Sequence, residues 1–154
     1  RDLHFINANE GVIAGFGYVA YTINGGKSFN RVEMPGGLYT GVHMFSSTKW
    51  LLLENTGKVL LTQNRGETWE EERVGEQNLK RRTLFNGLYF SGNLGLLVGA
   101  YGAVYVSNNA GESWKQIEMP TQNHLYQATI TEDNRAYITA SDGKLFEINL
   151  TALF

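Results

Sequence analysis

The chain has 154 residues, 42% of them hydrophobic, a formal net charge of −2 and no cysteine. That length fits one domain able to bury roughly 70% of the surface its unfolded chain exposes. The charge gives neither nucleic acid nor an anionic membrane a bulk electrostatic hold, and the lack of cysteine excludes disulfides, thiolate nucleophiles and cysteine-ligated metals. No apolar run approaches the ~20 residues of a membrane-spanning helix, so no span is expected, and no signal peptide is visible. Nothing in the composition assigns a compartment. The chain opens on Arg1 rather than methionine, and the expectation is a processed, trimmed or partial chain.

Short β-branched and aromatic runs punctuated by glycine and asparagine follow one another in a repeating order, with no amphipathic helical stretch between them. In the first unit the predicted strands are 3–7, 12–14, 19–22 and 29–33; in the second, 39–45, 50–53, 59–62 and 69–74; in the third, 83–90, 96–98, 104–107 and 114–118. The fourth unit supplies only 126–131, 136–139 and 145–148. A glycine turn joins the second and third strands of every unit: Phe16-Gly17, Thr56-Gly57, Tyr101-Gly102 and Asp142-Gly143. Those glycines lie 40, 45 and 41 residues apart, the spacing of a β-propeller blade. The second strands are almost wholly apolar, as expected for inner strands packed on both faces, whereas the fourth strands carry charge, as in Trp69-Glu70-Glu71-Glu72-Arg73.

An eight-residue motif opens the fourth strand of the first three units. It runs hydroxyl, any, Asn, any, Gly, any, hydroxyl, aromatic. Its fixed positions are Thr22, Asn24, Gly26, Ser28 and Phe29; Thr62, Asn64, Gly66, Thr68 and Trp69; and Ser107, Asn109, Gly111, Ser113 and Trp114. An Asn side chain accepts hydrogen bonds from the amides of a tight turn, and glycine supplies the positive φ that such a turn requires. The fourth unit has lost the hydroxyl, the Asn and the Gly, and its fourth strand is missing. The expectation is therefore a single propeller domain or propeller segment over 1–154, with blades near 1–36, 37–76, 77–121 and 122–154. Its open outer edge would be completed by a larger ring, by a second copy or by another protein.

The motif resembles the Asp box, or BNR repeat, of Asp-box β-propellers, with Asn24, Asn64 and Asn109 where that family usually has Asp. The surrounding pattern is most similar to photosystem II stability/assembly factor-like proteins. The resemblance covers nearly the whole chain. It implies an all-β propeller of about four blades, the last incomplete, and a non-catalytic scaffold that presents a rigid face to protein partners. Asn in place of Asp removes the carboxylates that a calcium site would want.

Sialidases share the box but place it far from their active sites, and their chemistry needs an arginine triad, a Tyr–Glu pair and an acid Asp. Here only Asp2, Asp133 and Asp142 are aspartates. No catalytic residue is nominated and no enzyme activity is expected. His4, His43 and His124 have no metal-binding spacing, Gly25-Gly26 and Gly36-Gly37 are turn glycines, and neither metal nor cofactor is expected. The sequon Asn149-Leu150-Thr151 is read as a chance match. The candidate interaction face consists of the basic run Lys80-Arg81-Arg82 with Phe16, Tyr39 and Tyr101, since aromatics and arginine dominate interfaces. Two further readings remain open: a glycan-binding module with aromatics and Asn/Gln lining a pocket, and an oligomeric component of a virus particle or secretion apparatus.

Overall fold

The computed structural model describes residues 1–75, 77, 78 and 81–154, with the side chains of 76–82 outside that description. The chain forms two compact units, Arg1–Arg73 and Val74–Phe154. Each contains consecutive antiparallel sheets in which every strand pairs with its sequence neighbour.

In the first unit, β1 (Asp2–Phe5), β2 (Gly11–Gly15), β3 (Tyr18–Thr22) and β4 (Asn30–Val32) make the first sheet. The second sheet is β5 (Tyr39–Met44), β6 (Trp50–Glu54), β7 (Lys58–Thr62) and β8 (Glu70–Arg73). Val12, Ala14, Val19 and Val32 of the first sheet pack against Val42, Met44, Trp50, Leu52 and Leu60 of the second. Two amides on the innermost strand of the second sheet tie the pair together. Val42 N–H donates to Asp2 Oδ2 at 2.9 Å, and Met44 N–H donates to His4 Nδ1 at 2.8 Å. The His4 and His43 rings stack with centroids 4.2 Å apart. Burial pushes His43 down to about 4, with His4 adding a smaller push; burial also lowers His4, which Asp2 partly opposes. A neutral His4 suits the geometry, because the nitrogen facing Met44 N–H must be an acceptor.

In the second unit, the backbone of β9 (Gln77–Asn78) and β10 (Arg81–Arg82) forms a small antiparallel ribbon. The third sheet follows: β11 (Phe85–Ser91), β12 (Leu94–Gly99), β13 (Val104–Ser107) and β14 (Lys115–Ile117). The fourth sheet has three strands, β15 (Leu125–Ile130), β16 (Arg135–Ala140) and β17 (Leu145–Asn149), and the chain then closes in a 3-10 turn over Leu150–Leu153. Leu96, Val98, Val104 and Val106 pack with Leu125, Ala136, Ile138 and Ala140, and the buried Leu150 completes that core. Asn86 Nδ2 donates across the two sheets to Leu125 O at 2.7 Å.

β6 and β12 are buried along nearly their whole length, which is why they read as continuous apolar runs rather than alternating ones. The charged β8 is exposed throughout. These are the blades of an incomplete all-β propeller, the last one lacking its outer strand. The ribbon β9–β10 falls where the sequence pattern shows only a connection, since four residues in two short strands leave no periodicity to read. No helix among the described residues is long and apolar enough to cross a membrane.

Candidate interaction surface

The asparagine motif builds the same turn three times. In the first, Thr22 Oγ1 accepts from Gly26 N–H at 2.9 Å and Asn24 N–H at 3.3 Å, and donates to Asn24 Oδ1 at 3.0 Å. Asn24 Oδ1 also accepts from Ser28 N–H at 3.0 Å, and Asn24 Nδ2 donates to Ser28 Oγ at 2.8 Å. The five bonds recur with Thr62, Asn64, Gly66 and Thr68. They recur again with Ser107, Asn109, Gly111 and Ser113. The leading hydroxyls Thr22, Thr62 and Ser107 are buried, so each satisfies donors that water does not reach.

Both the fourth and the fifth motif positions are left-handed: Gly25 and Gly26, Arg65 and Gly66, Ala110 and Gly111. The sequence pattern shows glycine only at the fifth, because Arg65 and Ala110 occupy the fourth at a steric cost. That fourth residue docks its N–H on the turn between the sheet's first two strands. Gly25 bonds Asn9 O, Arg65 bonds Thr48 O and Ala110 bonds Asn93 O. The fourth sheet keeps this one link, Leu150 N–H to Asn134 O, without the motif. Trp69 packs against the core of the first unit, and Trp114 meets Phe90 edge-on with centroids 5.9 Å apart. The Nε1 atoms of both indoles are buried with no hydrogen-bond partner among the described residues. Phe29 is more exposed, at 40%. The hydrogen bonds of the hydroxyl and Asn positions run within each turn, so these residues shape the blades.

The other recurring device is the glycine turn between the second and third strands. Gly17 N–H donates to Gly37 O at 2.7 Å and Gly102 N–H to Asn123 O at 2.8 Å, which ties each turn to the connection entering the next sheet. Phe16 forms an isolated bridge with Leu38 and is 83% exposed. Its counterpart Tyr101 is half-exposed, sits 5.3 Å from the His124 ring, and adopts the left-handed conformation at φ 56° and ψ 36°. A Cβ on Gly102 would lie 2.1 Å from Thr121 O, so only glycine fits there. Beside this turn lies a recess of about 420 Å³ lined by Tyr101, Tyr105, Gln116, Glu118, Thr121 and Gln122. In the first unit, Arg31 lies 5.5 Å from the centroid of the exposed Tyr18 ring.

Tyr39 does not belong to this surface. It is buried and its hydroxyl donates to Pro35 O at 2.8 Å, so it is a core residue on the bulged start of β5. Alternation puts tyrosine on either face of a strand, and the bulge between Tyr39 and Gly41 turns this one inward. Lys80 lies outside the described residues, and Arg81 and Arg82 are described only in their backbone. His124, Gln116, Thr121 and Gln122 carry no motif. The signal that would have found them is the match between Phe16-Gly17 and Tyr101-Gly102, which marks the following connection as their neighbour. Among the described residues no group of three or more His, Asp or Glu is placed to hold a metal ion.

Sheet order, blade spacing and repeated turn define the class: a β-propeller, of which this chain contains four successive blades. Among solved structures, the chain is similar to YCF48 bound to D1 peptide, at 14% identity and a TM-score of 0.61, covering 95% of this chain and 61% of that one. It is similar also to YCF48 from Cyanidioschyzon merolae, at 18% identity and a TM-score of 0.68, covering 96% and 52%. An ancestral GH74 enzyme matches at 16% identity and a TM-score of 0.65, covering 96% of this chain and 25% of that one. The chain thus spans between half and about three-fifths of the YCF48 chains. No family model matches it, and no curated protein matches it in sequence.

Proposed function

We propose that this chain is a non-catalytic interaction scaffold that binds an extended peptide segment of a protein partner in the recess beside Tyr101. The observation that carries the reading is the Tyr101 turn itself. A non-glycine residue is held left-handed, at a cost of about 1–2 kcal/mol, with its ring at the mouth of a 420 Å³ recess. The recess offers what an extended chain needs: aromatic walls for side chains, and Gln116, Gln122 and Thr121 to meet backbone N–H and C=O groups. The solved YCF48 complex supports the choice of a peptide, since there a protein of the same fold is bound to one. The GH74 likeness is one of fold, and fold alone assigns no chemistry.

The test is selection of binders from a displayed random-peptide library, followed by Tyr101→Gly. Glycine keeps the turn and removes the ring, so the variant should fold at least as well and lose at least about tenfold in affinity. Selected peptides whose binding is indifferent to Tyr101→Gly would refute the site, as would a selection that returns none. A second reading rests on the same lining: two tyrosines with Gln116 and Gln122 also suit a sugar. Saturable binding on a glycan array, lost in the same variant, would favour it.

A further inference from the structure

Register aligns the outer strands of the first three sheets residue by residue. Val19, Val59 and Val104 each stand three residues before the hydroxyl that opens the asparagine turn, and they pair with Val32, Glu72 and Ile117. Arg31, Glu71 and Gln116 therefore share one place on the outer strand, opposite Ala20, Leu60 and Tyr105. Glu33, Arg73 and Glu118 share the place two residues further on, and Tyr18, Lys58 and Ala103 the place just before the valine.

The first two blades furnish this place with a cation of their own. In the second, Lys58 Nζ and Arg73 Nε each lie 3.7 Å from a Glu71 carboxylate oxygen. In the first, the Arg31 guanidinium lies 5.5 Å from the centroid of the Tyr18 ring. The third blade keeps a carboxylate and aromatic rings there but puts no cation with them. Ala103 stands where the others have Tyr18 and Lys58, so a methyl group leaves open the space that a ring or a long stem fills elsewhere. Gln116 stands in place of Arg31 and Glu71. Glu118 is exposed, is the one charged residue among those lining the recess beside Tyr101, and has no ion pair among the described residues. The cation of its own strand, Lys115, pairs with Val106 and donates to Leu153 O at 3.0 Å, on the other face by alternation.

We infer that the recess selects segments carrying a lysine or arginine, whose side chain supplies the cation that the first two blades hold internally. The inference rests on the peptide reading given above and names the chemistry of that peptide. The apolar stem lies against Tyr101 and Tyr105, and the charged head meets Glu118. An exposed ion pair alone contributes little, but a cation held also against ring faces gains from both. An acidic segment sets like charges together and is rejected.

The peptide selection supplies the probe. Most Tyr101-dependent binders should carry lysine or arginine. Each is then synthesised with that residue replaced by methionine, which keeps a flexible stem and removes the charge. The basic peptide should bind the parent chain at least about tenfold more tightly than its methionine counterpart. That ratio should shrink as salt rises from about 50 mM to about 500 mM. Glu118→Gln keeps the shape of an exposed side chain and should bring the ratio below about threefold, while Glu118→Lys should turn the selection towards aspartate and glutamate. Tyr101-dependent peptides without a basic residue, or a ratio unchanged in Glu118→Gln, overturn the inference and leave the peptide reading standing. A selection that returns no Tyr101-dependent peptide sinks both.

Discussion

Replacing Thr62 by Val changes one buried atom and leaves the shape nearly the same, which makes it a direct measure of the asparagine turn. The Thr62 hydroxyl accepts from Gly66 N–H at 2.9 Å and Asn64 N–H at 3.2 Å, and donates to Asn64 Oδ1 at 2.9 Å. The side chain is fully buried, so a methyl group in its place strands two amides and half-satisfies an amide oxygen. At about 1 kcal/mol for each short bond and less for the long one, the loss is about 2–3 kcal/mol. For a chain of this size that lowers Tm by about 5–10 °C. Urea melts followed by circular dichroism measure it. Thr68→Ala removes the last hydroxyl of the same turn, where the bond from Asn64 Nδ2 is exposed, and should cost no more than about 0.5 kcal/mol. A Thr62→Val chain within about 0.5 kcal/mol of the parent would refute the reasoning, as would a Thr68→Ala chain that loses as much.

Relieving the left-handed Ala110 should have the opposite sign. Ala110→Gly is expected to gain up to about 1 kcal/mol, the strain removed less the entropy of a more flexible unfolded chain; a lower urea midpoint would contradict it. Tyr39→Phe removes the bond to Pro35 O from a buried ring and should lose about 1 kcal/mol, measurable in the same melts. Gly102→Ala would drive a methyl into Thr121 O and should collapse the Tyr101 recess, lowering Tm and abolishing selected-peptide binding together. Acid should weaken the first unit through its stacked histidines. Burial holds the folded His43 at about 4, below the ordinary histidine value, so the unfolded chain takes up the proton first. Stability is therefore complete above pH 6.5 and falls as the pH drops towards 4. His4, lowered in the same direction, adds to the loss because its protonation removes the acceptor for Met44 N–H. His43→Phe should flatten that slope in melts run between pH 7 and about 4.

Architecture was the legible part of this sequence. Gly17, Gly57, Gly102 and Gly143 fix the blade interval, and the uninterrupted apolar runs at 50–53 and 96–98 mark strands buried along nearly their whole length. The surface was only partly legible. Phe16 and Tyr101 stand out because they sit beside turn glycines, a local signal. Tyr39 misled because a one-residue bulge reverses which way a strand residue points, and no local composition encodes it. Gln116 lies on the outer strand β14, and Thr121, Gln122 and His124 lie on the connection that follows it, well beyond Tyr101 in sequence. Only the fold brings them to Tyr101.

The hydrogen bonds from Gly17 and Gly102 to the connections that follow them separate two kinds of change. They anchor each tip through the backbone, while the side chain of the residue just ahead, Phe16 or Tyr101, is exposed or half-exposed. The side chains at these tips can therefore change with less effect on the blade beneath than the glycines can. The same separation offers an engineer a ready position to vary: diversify 16 and 101, leave 17 and 102 alone, and the frame should carry the library unchanged.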